Sequence, residues 1–318
     1  MAVVFSIIIL IFAIAYGVLH YFDTEVEDLQ PEKVDTLHGS LALLNKGHVY
    51  YSLNGDHDAP LVVLIHGFSF PSFAWERNVD ALVSAGYCVL TYDVYGRGFS
   101  ARPDIAYDRT SFVSQLNELL EYLDLQHKPL HIVGLSMGGV IGAAYATDYP
   151  EQVCSLTMVA PFYQPIPIGL LKWPVVGDYL ARVFYIPKLA SMQLDDLGES
   201  DRILDVAHRY EVQMRYKGFS RALVRSAQRF LQTEPSHDFV QLRDRQLPSL
   251  LLWGDRDTIF PVEQASTVQA FMGETCELKV FEGAGHALPF EYAEQTNQAL
   301  IQFLAGVPLS SDVSPARA

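Results

Sequence analysis

Short apolar runs alternate with segments of helical spacing through the first half of the chain. Four runs are apolar at nearly every position, as in strands covered on both faces: 61–65, 87–93, 130–135 and 153–160. Between the second and third runs, apolar residues recur on one face of a helix predicted over 110–123. This alternation predicts an α/β fold with a mostly parallel central sheet and helices on both faces.

The same pattern extends toward both ends of the chain but is interrupted once. Further strands are predicted over 41–47, 48–56, 247–255 and 276–283, and further helices over 74–84, 137–147, 262–272 and 290–304. Residues 161–245 carry aromatic, proline-rich and charged helical patterns without a buried-type strand. Because the strands on either side need each other to complete a sheet, we predict one domain over 41–304 with a helical insertion at about 161–245, not two domains.

The N-terminal segment follows neither pattern. Residues 1–22 contain no Asp, Glu, Lys or Arg, and at about 1.5 Å per residue they are long enough to cross a bilayer. A cleaved signal is the alternative, because residues 13–15 have the small-x-small form of a cleavage site, and the product would be secreted or periplasmic. The missing basic n-region favours a single-helix membrane anchor. We predict an acidic linker over 23–40 and a flexible tail over 305–318.

Composition narrows the range of partners. The formal net charge of −15 argues against binding of nucleic acid, because neutralising phosphates requires a Lys/Arg surface. The cysteines Cys88, Cys154 and Cys276 are far apart and odd in number, so they indicate neither a disulfide framework nor metal-ligand spacing. We therefore expect buried free thiols at Cys88 and Cys154 and no metal or other cofactor. The oligomeric state is not indicated by the sequence.

The residues around Ser136 carry the strongest chemical signal. Gly134-Leu135-Ser136-Met137-Gly138 has the form G-x-S-x-G between a predicted strand and a predicted helix. Glycines two positions before and two after the serine permit a tight turn without Cβ clashes. Such a turn raises the serine hydroxyl above the sheet edge, beside the positive end of the following helix. We predict that Ser136 is a nucleophile.

A serine nucleophile needs a base, and the base needs an orienting carboxylate. His286 lies in a glycine-rich loop after the last predicted strand, while Asp255 and Asp257 follow the strand before it. These loops meet at the carboxyl ends of adjacent parallel strands, so we predict His286 as the base and Asp257 as the acid. Asp255 is the alternative acid, or it caps the turn. Other histidines compete with His286: His66, His127, His131, His208 and His237.

Acyl transfer also requires hydrogen-bond donors for the developing oxyanion. The amide of Met137 follows the nucleophile at the start of a helix, and we predict it as one donor. The loop after residues 61–65 reads His66-Gly67-Phe68, where Gly67 allows the backbone to bend. We predict the Phe68 amide as the second donor.

These motifs together resemble the serine hydrolases of the α/β-hydrolase superfamily. The resemblance covers about 41–304 and rests on "HGFSFPSFAW", "YDVYGRGFSARP", "GLSMGG", "WGDRDTIFP" and "GAGHALPFE", which occur in the family's order. It implies that 161–245 is a lid over the active site. It also gives a structural role to five residues of the second motif: Asp93, Gly96, Arg97, Gly98 and Ser100. "GLSMGG" and the N-terminal segment more weakly resemble membrane-anchored monoacylglycerol lipases and related esterases.

The sequence thus predicts a hydrolase acting on ester bonds through an acyl-enzyme. The apolar and aromatic residues of 161–187 suit a lipid-like acyl substrate, although they could equally seal the lid onto the core. The same triad supports C–C bond hydrolysis, amide hydrolysis or perhydrolysis, and a ligand-binding protein with little activity is an alternative of another class. A dehalogenase or an epoxide hydrolase is disfavoured, since its nucleophile would be Asp at position 136.

Overall fold

A computed structural model of the chain describes residues 1–34, 38–195 and 203–308. Parts of three predicted segments, in the linker, the lid and the tail, lie outside the described residues: 35–37, 196–202 and 309–318. The bounds predicted for those three segments therefore stay predictions.

The described chain forms one eight-stranded sheet in the order β1-β2-β4-β3-β5-β6-β7-β8. Its strands are β1 (Ser40–Leu44), β2 (Gly47–Asn54), β3 (Leu61–Ile65), β4 (Cys88–Tyr92), β5 (Leu130–Leu135), β6 (Val153–Val159), β7 (Ser249–Gly254) and β8 (Cys276–Phe281). Strands β1, β2 and β4 pair antiparallel, and every pairing from β4 to β8 is parallel. The predicted mostly parallel sheet is confirmed.

Helices cover both faces of this sheet. The helices among the described residues are α1 (Ala2–Phe22), α2 (Val79–Ser84), α3 (Arg109–Tyr122), α4 (Met137–Asp148), α5 (Val176–Leu180), α6 (Leu189–Asp195), α7 (Ile203–Met214), α8 (Phe219–Gln228), α9 (Ser236–Asp244), α10 (Glu263–Met272), α11 (Leu288–Glu291) and α12 (Ala293–Ala305). Val63 of β3 packs in one core cluster with Ile141 of α4. The adjacent Val62 packs in a second cluster with Leu82 of α2 and Leu300 of α12. Successive side chains of this fully buried strand thus point to opposite faces of the sheet and pack in two separate core clusters.

Two helices predicted as continuous are divided in the structure. Instead of one helix over 74–84, a 3-10 turn at Ser72–Trp75 precedes α2. Instead of one helix over 290–304, α11 and α12 are separated at Tyr292, whose backbone is non-helical at φ −109° and ψ 43°. Periodicity did not reveal either break, because apolar spacing continues across a change in helix direction.

The segment between β6 and β7 is helical where the structure describes it. It contains α5 to α9, a π-helical turn at Ala181–Tyr185 and short 3-10 turns, with no strand among its described residues. This agrees with the predicted helical insertion.

Helix α1 stands apart from both cores. Its residues Val3–Phe22 have a mean hydropathy of 2.6, and none of the segment is buried. By length and composition it fits a membrane span or a signal sequence. It ends at Phe22, directly before Asp23, the first Asp, Glu, Lys or Arg of the chain.

One buried histidine lies inside the sheet, far from the carboxyl ends of the strands. His131, the second residue of β5, is buried, and its Nδ1 lies 2.8 Å from the Ser155 hydroxyl of β6. Burial lowers the pKa of His131 to about 4, so its ring is neutral in the folded chain at neutral pH. It occupies the opposite end of β5 from Ser136.

The buried neutral ring predicts a pH-dependent loss of stability. The folded-state pKa of His131 is below its unfolded value of about 6.5, so unfolding takes up a proton and stability falls as the pH falls between about 6.5 and 4. We compare the full chain in detergent with the variant His131→Gln. As the pH falls through this range, the free energy of unfolding of the wild type should decrease more steeply than that of the variant, by up to about 1.4 kcal/mol per pH unit. Chemical denaturation across this pH range measures both slopes, and equal slopes would contradict the prediction.

Candidate active site

A strained turn joins β5 to α4. Ser136 sits between them with φ 54° and ψ −117°, a positive φ that side-chain-bearing residues rarely adopt. The Ser136 amide donates to the Val159 carbonyl of β6 at 2.7 Å, and the residue is nearly buried. The turn therefore fixes the serine at the carboxyl edge of the sheet.

Two glycines allow this turn because their neighbours leave no room for a side chain. A Cβ on Gly134 would lie 2.3 Å from the Gly138 carbonyl, and a Cβ on Gly138 would lie 2.2 Å from the Ile65 carbonyl oxygen. Gly67 differs, since a Cβ there would lie no closer than 3.6 Å to any neighbour. The structure thus explains Gly134 and Gly138 by close backbone approach, whereas Gly67 is not required for space.

His286 and Asp257 are paired beside this turn. His286 Nδ1 lies 2.7 Å from Asp257 Oδ2, with the carboxylate side chain fully buried and the histidine side chain 15% exposed. The second carboxylate oxygen, Oδ1, accepts from the amides of Ile259 and Phe260, each at 2.8 Å. Because both oxygens have partners, the carboxylate is fixed in orientation and directed at the imidazole.

Asp255, the alternative acid, lies elsewhere. It is exposed, and its Oδ1 accepts from the Gly283 amide at 2.7 Å. It thus ties the loop after β7 to the loop after β8 and does not contact His286. The structure places Asp257 beside the histidine because the chain turns inward after Gly254.

The competing histidines lie in other environments. His208 and His237 are exposed on α7 and α9. His66 is fully buried, with Nδ1 2.8 Å from the Gly67 carbonyl and Nε2 accepting from the Val94 amide at 2.9 Å. Burial lowers the pKa of His66 to about 3, so the ring is neutral. His66 joins the loops after β3 and β4 and has no ring nitrogen free to act as a base.

The loop that carries Phe68 is held by a buried arginine. Arg97 Nε donates to the Phe68 carbonyl at 2.7 Å, and its guanidinium lies 5.4 Å from the Phe68 ring centroid. Burial lowers the pKa of Arg97 to about 10, which still leaves it charged. The amides of Phe68 and Met137 donate to no other residue within the part of the chain that the structure describes. Both amides are therefore available to a ligand.

The remaining residues of the 92–100 motif fix the same loops, in line with their predicted structural role. The buried Asp93 carboxylate accepts from the amides of Ser72 and Phe99, each at 2.8 Å, and Ser100 Oγ donates to the Asp93 carbonyl at 2.6 Å. A Cβ on Gly98 would overlap the Asp93 carboxylate.

Gln213 is a supporting residue that the sequence did not indicate. This buried side chain of α7 donates from Nε2 to the Ser69 carbonyl at 3.0 Å and accepts the Gly98 amide on Oε1 at 2.9 Å. It therefore ties the predicted lid to the loops after β3 and β4. No sequence signal identifies it, because a glutamine in a charged helix is ordinarily exposed.

Ser136, His286, Gly67 and Phe68 all line one cavity of about 430 Å³. Most of its other walls are apolar side chains from the core and the predicted lid, among them Phe162, Ile166, Leu171, Leu231, Phe260 and Phe290. No Asp, Glu, Lys or Arg lines the cavity within the described ranges. Ser136 and His286 do not hydrogen-bond each other among the described residues, and such contacts often tighten only when substrate binds.

No arrangement resembling a metal centre is present in the described part of the chain, where no three His, Cys, Asp or Glu side chains come together. The three cysteines are all buried free thiols.

Comparison with known proteins identifies the family. A model of the alpha/beta hydrolase family matches residues 62–299. A 2-hydroxy-6-oxononadienedioate/2-hydroxy-6-oxononatrienedioate hydrolase of Paraburkholderia xenovorans is 29% identical over 78% of this chain and 87% of that protein. The monoacylglycerol lipase ABHD6 of Mus musculus is 25% identical over 78% of this chain and 76% of that protein.

A solved structure extends the likeness to three dimensions. The bromoperoxidase of Bacillus anthracis superimposes with a TM-score of 0.69 at 25% identity, over 84% of this chain and 99% of that protein. Because the family match spans most of its length, the chain belongs to the alpha/beta hydrolase family and is a hydrolase of α/β fold. The predicted fold class and family are confirmed. The relatives' names describe different reactions, so the fold alone does not fix the chemistry.

The glycine geometry predicts a matched pair of stability effects. Gly138→Ala should destabilise the protein by about 1–3 kcal/mol or prevent folding, because its methyl group would overlap the Ile65 carbonyl. Gly67→Ala should change the free energy of unfolding by less than about 0.5 kcal/mol, because its methyl group fits. Thermal denaturation of both variants in detergent compares them. A Gly138→Ala variant as stable as the wild type would contradict the close approach of α4 to β3.

Proposed function

We propose that this protein is a serine hydrolase that cleaves neutral carboxylic esters with an apolar acyl group. One observation carries the proposal: His286, paired with the buried Asp257, lines an apolar cavity together with Ser136. A nucleophile on a strained turn, a base and a buried orienting carboxylate are the groups that acyl transfer requires.

The first half of the reaction forms an acyl-enzyme. Ser136 Oγ attacks the ester carbonyl carbon while His286 Nε2 takes the hydroxyl proton. The carbonyl oxygen becomes an oxyanion, which accepts hydrogen bonds from the amides of Phe68 and Met137. The imidazolium then gives its proton to the leaving alcohol as the carbon–oxygen bond breaks. In the second half, water attacks the acyl carbon and His286 takes its proton, so that the acid and free Ser136 are released.

Asp257 keeps His286 in the productive tautomer. Its Oδ2 accepts from Nδ1, which leaves Nε2 as the nitrogen that can accept the Ser136 proton. Two backbone amides on Oδ1 hold the carboxylate in this orientation beside the imidazole.

The lining of the cavity favours a neutral substrate. A dienedioate, as in the name of the Paraburkholderia relative, carries two carboxylates, and a buried carboxylate needs a cationic or multiply donating partner. The absence of Lys and Arg from the described cavity lining argues against such a substrate here. The apolar walls suit an alkyl chain, such as that of a monoacylglycerol, the substrate in the name of the mouse relative.

We further propose that α1 anchors the enzyme in a membrane. Its 20-residue apolar span contains no Asp, Glu, Lys or Arg and is unburied. N-terminal sequencing of the mature protein tests this, since a start after residue 15 would identify a cleaved signal.

The assignment of the acid predicts unequal effects of two neighbouring substitutions. Asp257→Asn should lower kcat for a p-nitrophenyl ester by about 10⁴-fold, because the amide would favour the wrong tautomer of His286. Asp255→Asn, the matched control, should stay within about threefold of the wild type, because Asp255 bonds only a loop amide. The reverse order would overturn the assignment.

The nucleophile predicts covalent labelling. A fluorophosphonate probe should modify Ser136 in the wild-type protein, and Ser136→Ala should remove the label. If the folded protein takes no label on Ser136, the chain is a ligand-binding protein of this fold and not the proposed enzyme.

The apolar cavity predicts a preference for longer acyl chains. Across p-nitrophenyl esters, kcat/KM should rise up to about fourfold per added methylene until the cavity is filled, since each buried CH₂ contributes about 0.8 kcal/mol. An ester of matched length that ends in a carboxylate should be a poor substrate, and a monoacylglycerol should be hydrolysed. A preference for acetyl esters without monoacylglycerol hydrolysis would contradict the substrate class.

A further inference from the structure

A stripe of basic residues follows one side of α8. Lys217 lies just before α8, Arg221 and Arg225 lie within it, and Arg229 follows it directly; all four line one surface cavity. The opposite face is buried and includes Ala222 and Leu223. In a chain with a net charge of −15, four cations in one row form an unusual concentration of positive charge.

Acidic residues neutralise only part of this basic stripe. Lys217 pairs with Asp28 at 2.8 Å, and Arg225 pairs with Asp104. Arg221 and Arg229 are exposed, and neither contacts an acidic side chain among the described residues. Neither of these two cations forms an ion pair among the described residues, although Arg221 Nη2 donates to the Arg102 carbonyl at 2.7 Å, so their charge is available to an external anion.

An exposed apolar patch adjoins the stripe. Its members are large side chains of the lid that are 49–77% exposed: Leu170, Trp173, Val175, Val176 and Phe184. A surface cavity of about 860 Å³ joins the two features. It is lined by Pro174 and Arg182 of the lid and by the four cations of the stripe, and also by the acidic residues Asp23, Glu25 and Asp178. Patch and stripe therefore form one continuous surface, which we call the lid face.

The end of α1 is fixed beside the lid face. Asp23, directly after α1, pairs with Arg182 at 2.8 Å. The Glu25 carboxylate accepts from the amides of Gly218 and Ser220 at the start of α8, at 2.7 and 2.6 Å. The beginning of the predicted linker is therefore bonded to the lid, and the apolar helix emerges next to the basic stripe.

We propose that the lid face binds the surface of an anionic lipid bilayer, with the apolar patch in the acyl region and the basic stripe on headgroup phosphates. The proposal rests on the anchoring role proposed for α1. The bilayer is the occupant that the structure favours, because the lid face is continuous with an unburied apolar helix and carries the opposite charge.

This orientation would place the substrate entrance at the bilayer. Leu171 and Tyr185 line the active-site cavity, while their sequence neighbours Leu170 and Phe184 are exposed on the lid face. Only one layer of chain therefore separates the two surfaces here. An acyl chain could pass from lipid to Ser136 without crossing water.

Trp173 provides a probe of this contact. It is 58% exposed, whereas Trp75 and Trp253 are fully buried, so the difference between the wild type and Trp173→Phe isolates its fluorescence. The full chain is reconstituted into vesicles of brominated phosphatidylcholine, with or without brominated phosphatidylglycerol. We expect bromine to quench the Trp173 signal at least about twofold more strongly in the anionic vesicles, and high salt to remove the difference.

Charge variants test the role of the stripe. Arg221→Gln with Arg229→Gln should lower quenching in anionic vesicles to the level in neutral ones. Lys46→Gln with Lys279→Gln, which removes two exposed cations elsewhere on the domain, should leave it unchanged. Both double variants should hydrolyse a p-nitrophenyl ester in detergent at the wild-type rate, so a failure of the ester chemistry would be seen separately.

Three results would overturn the proposal. If brominated lipid does not quench the fluorescence of Trp173, the lid face lies away from the bilayer. Equal quenching in neutral and anionic vesicles, or in the arginine variant and the wild type, would show that the stripe binds no headgroups. Protection of Trp173 from aqueous iodide in detergent, lost on dilution, would identify a second copy of the chain as the occupant.

Discussion

The site depends on the approach of α4 to the end of β3, which the turn at Ser136 makes possible. Gly138 lies so close to the Ile65 carbonyl that a methyl group has no space, and Ser136 carries the positive φ that results. Backbone strain of this kind persists only where the surrounding structure fixes it. The sheet supplies that support through the hydrogen bond from the Ser136 amide to the Val159 carbonyl of β6. Burial of α4 adds to it.

Around this turn, buried polar groups fix the loops that an open sheet would otherwise leave mobile. His66, Asp93 and Arg97 bond the loops after β3 and β4 to each other, and each is buried with specific backbone partners. Gln213 adds the predicted lid to the same network. A buried polar group without partners is costly, so these residues fix one arrangement of the loops. The loop that carries the Phe68 amide is thereby fixed, while the amides of Phe68 and Met137 donate no hydrogen bond to another described residue.

The proposed catalysis and the proposed membrane association depend on opposite surfaces of the lid. The inner surface of the lid is apolar and uncharged, which suits an alkyl chain and disfavours a dianion. Its outer surface combines exposed apolar residues with the cations of α8, beside the end of α1. Relatives with one fold carry names for different reactions, so the fold by itself does not fix the substrate.

The sequence by itself determined the order of strands and helices, since consecutive apolar residues and helical periodicity are local properties. It also determined the turn at Ser136, because the glycines at 134 and 138 stand where the backbone leaves no space for a side chain. Tertiary structure alone decided which aspartate reaches His286, since Asp255 and Asp257 are two residues apart and differ only in the direction of the loop. It likewise decided the contact of Gln213 with both loops and the bonding of Glu25 to α8, which join residues more than a hundred positions apart. Such contacts depend on how the elements are arranged in space, and no local pattern in the chain encodes them.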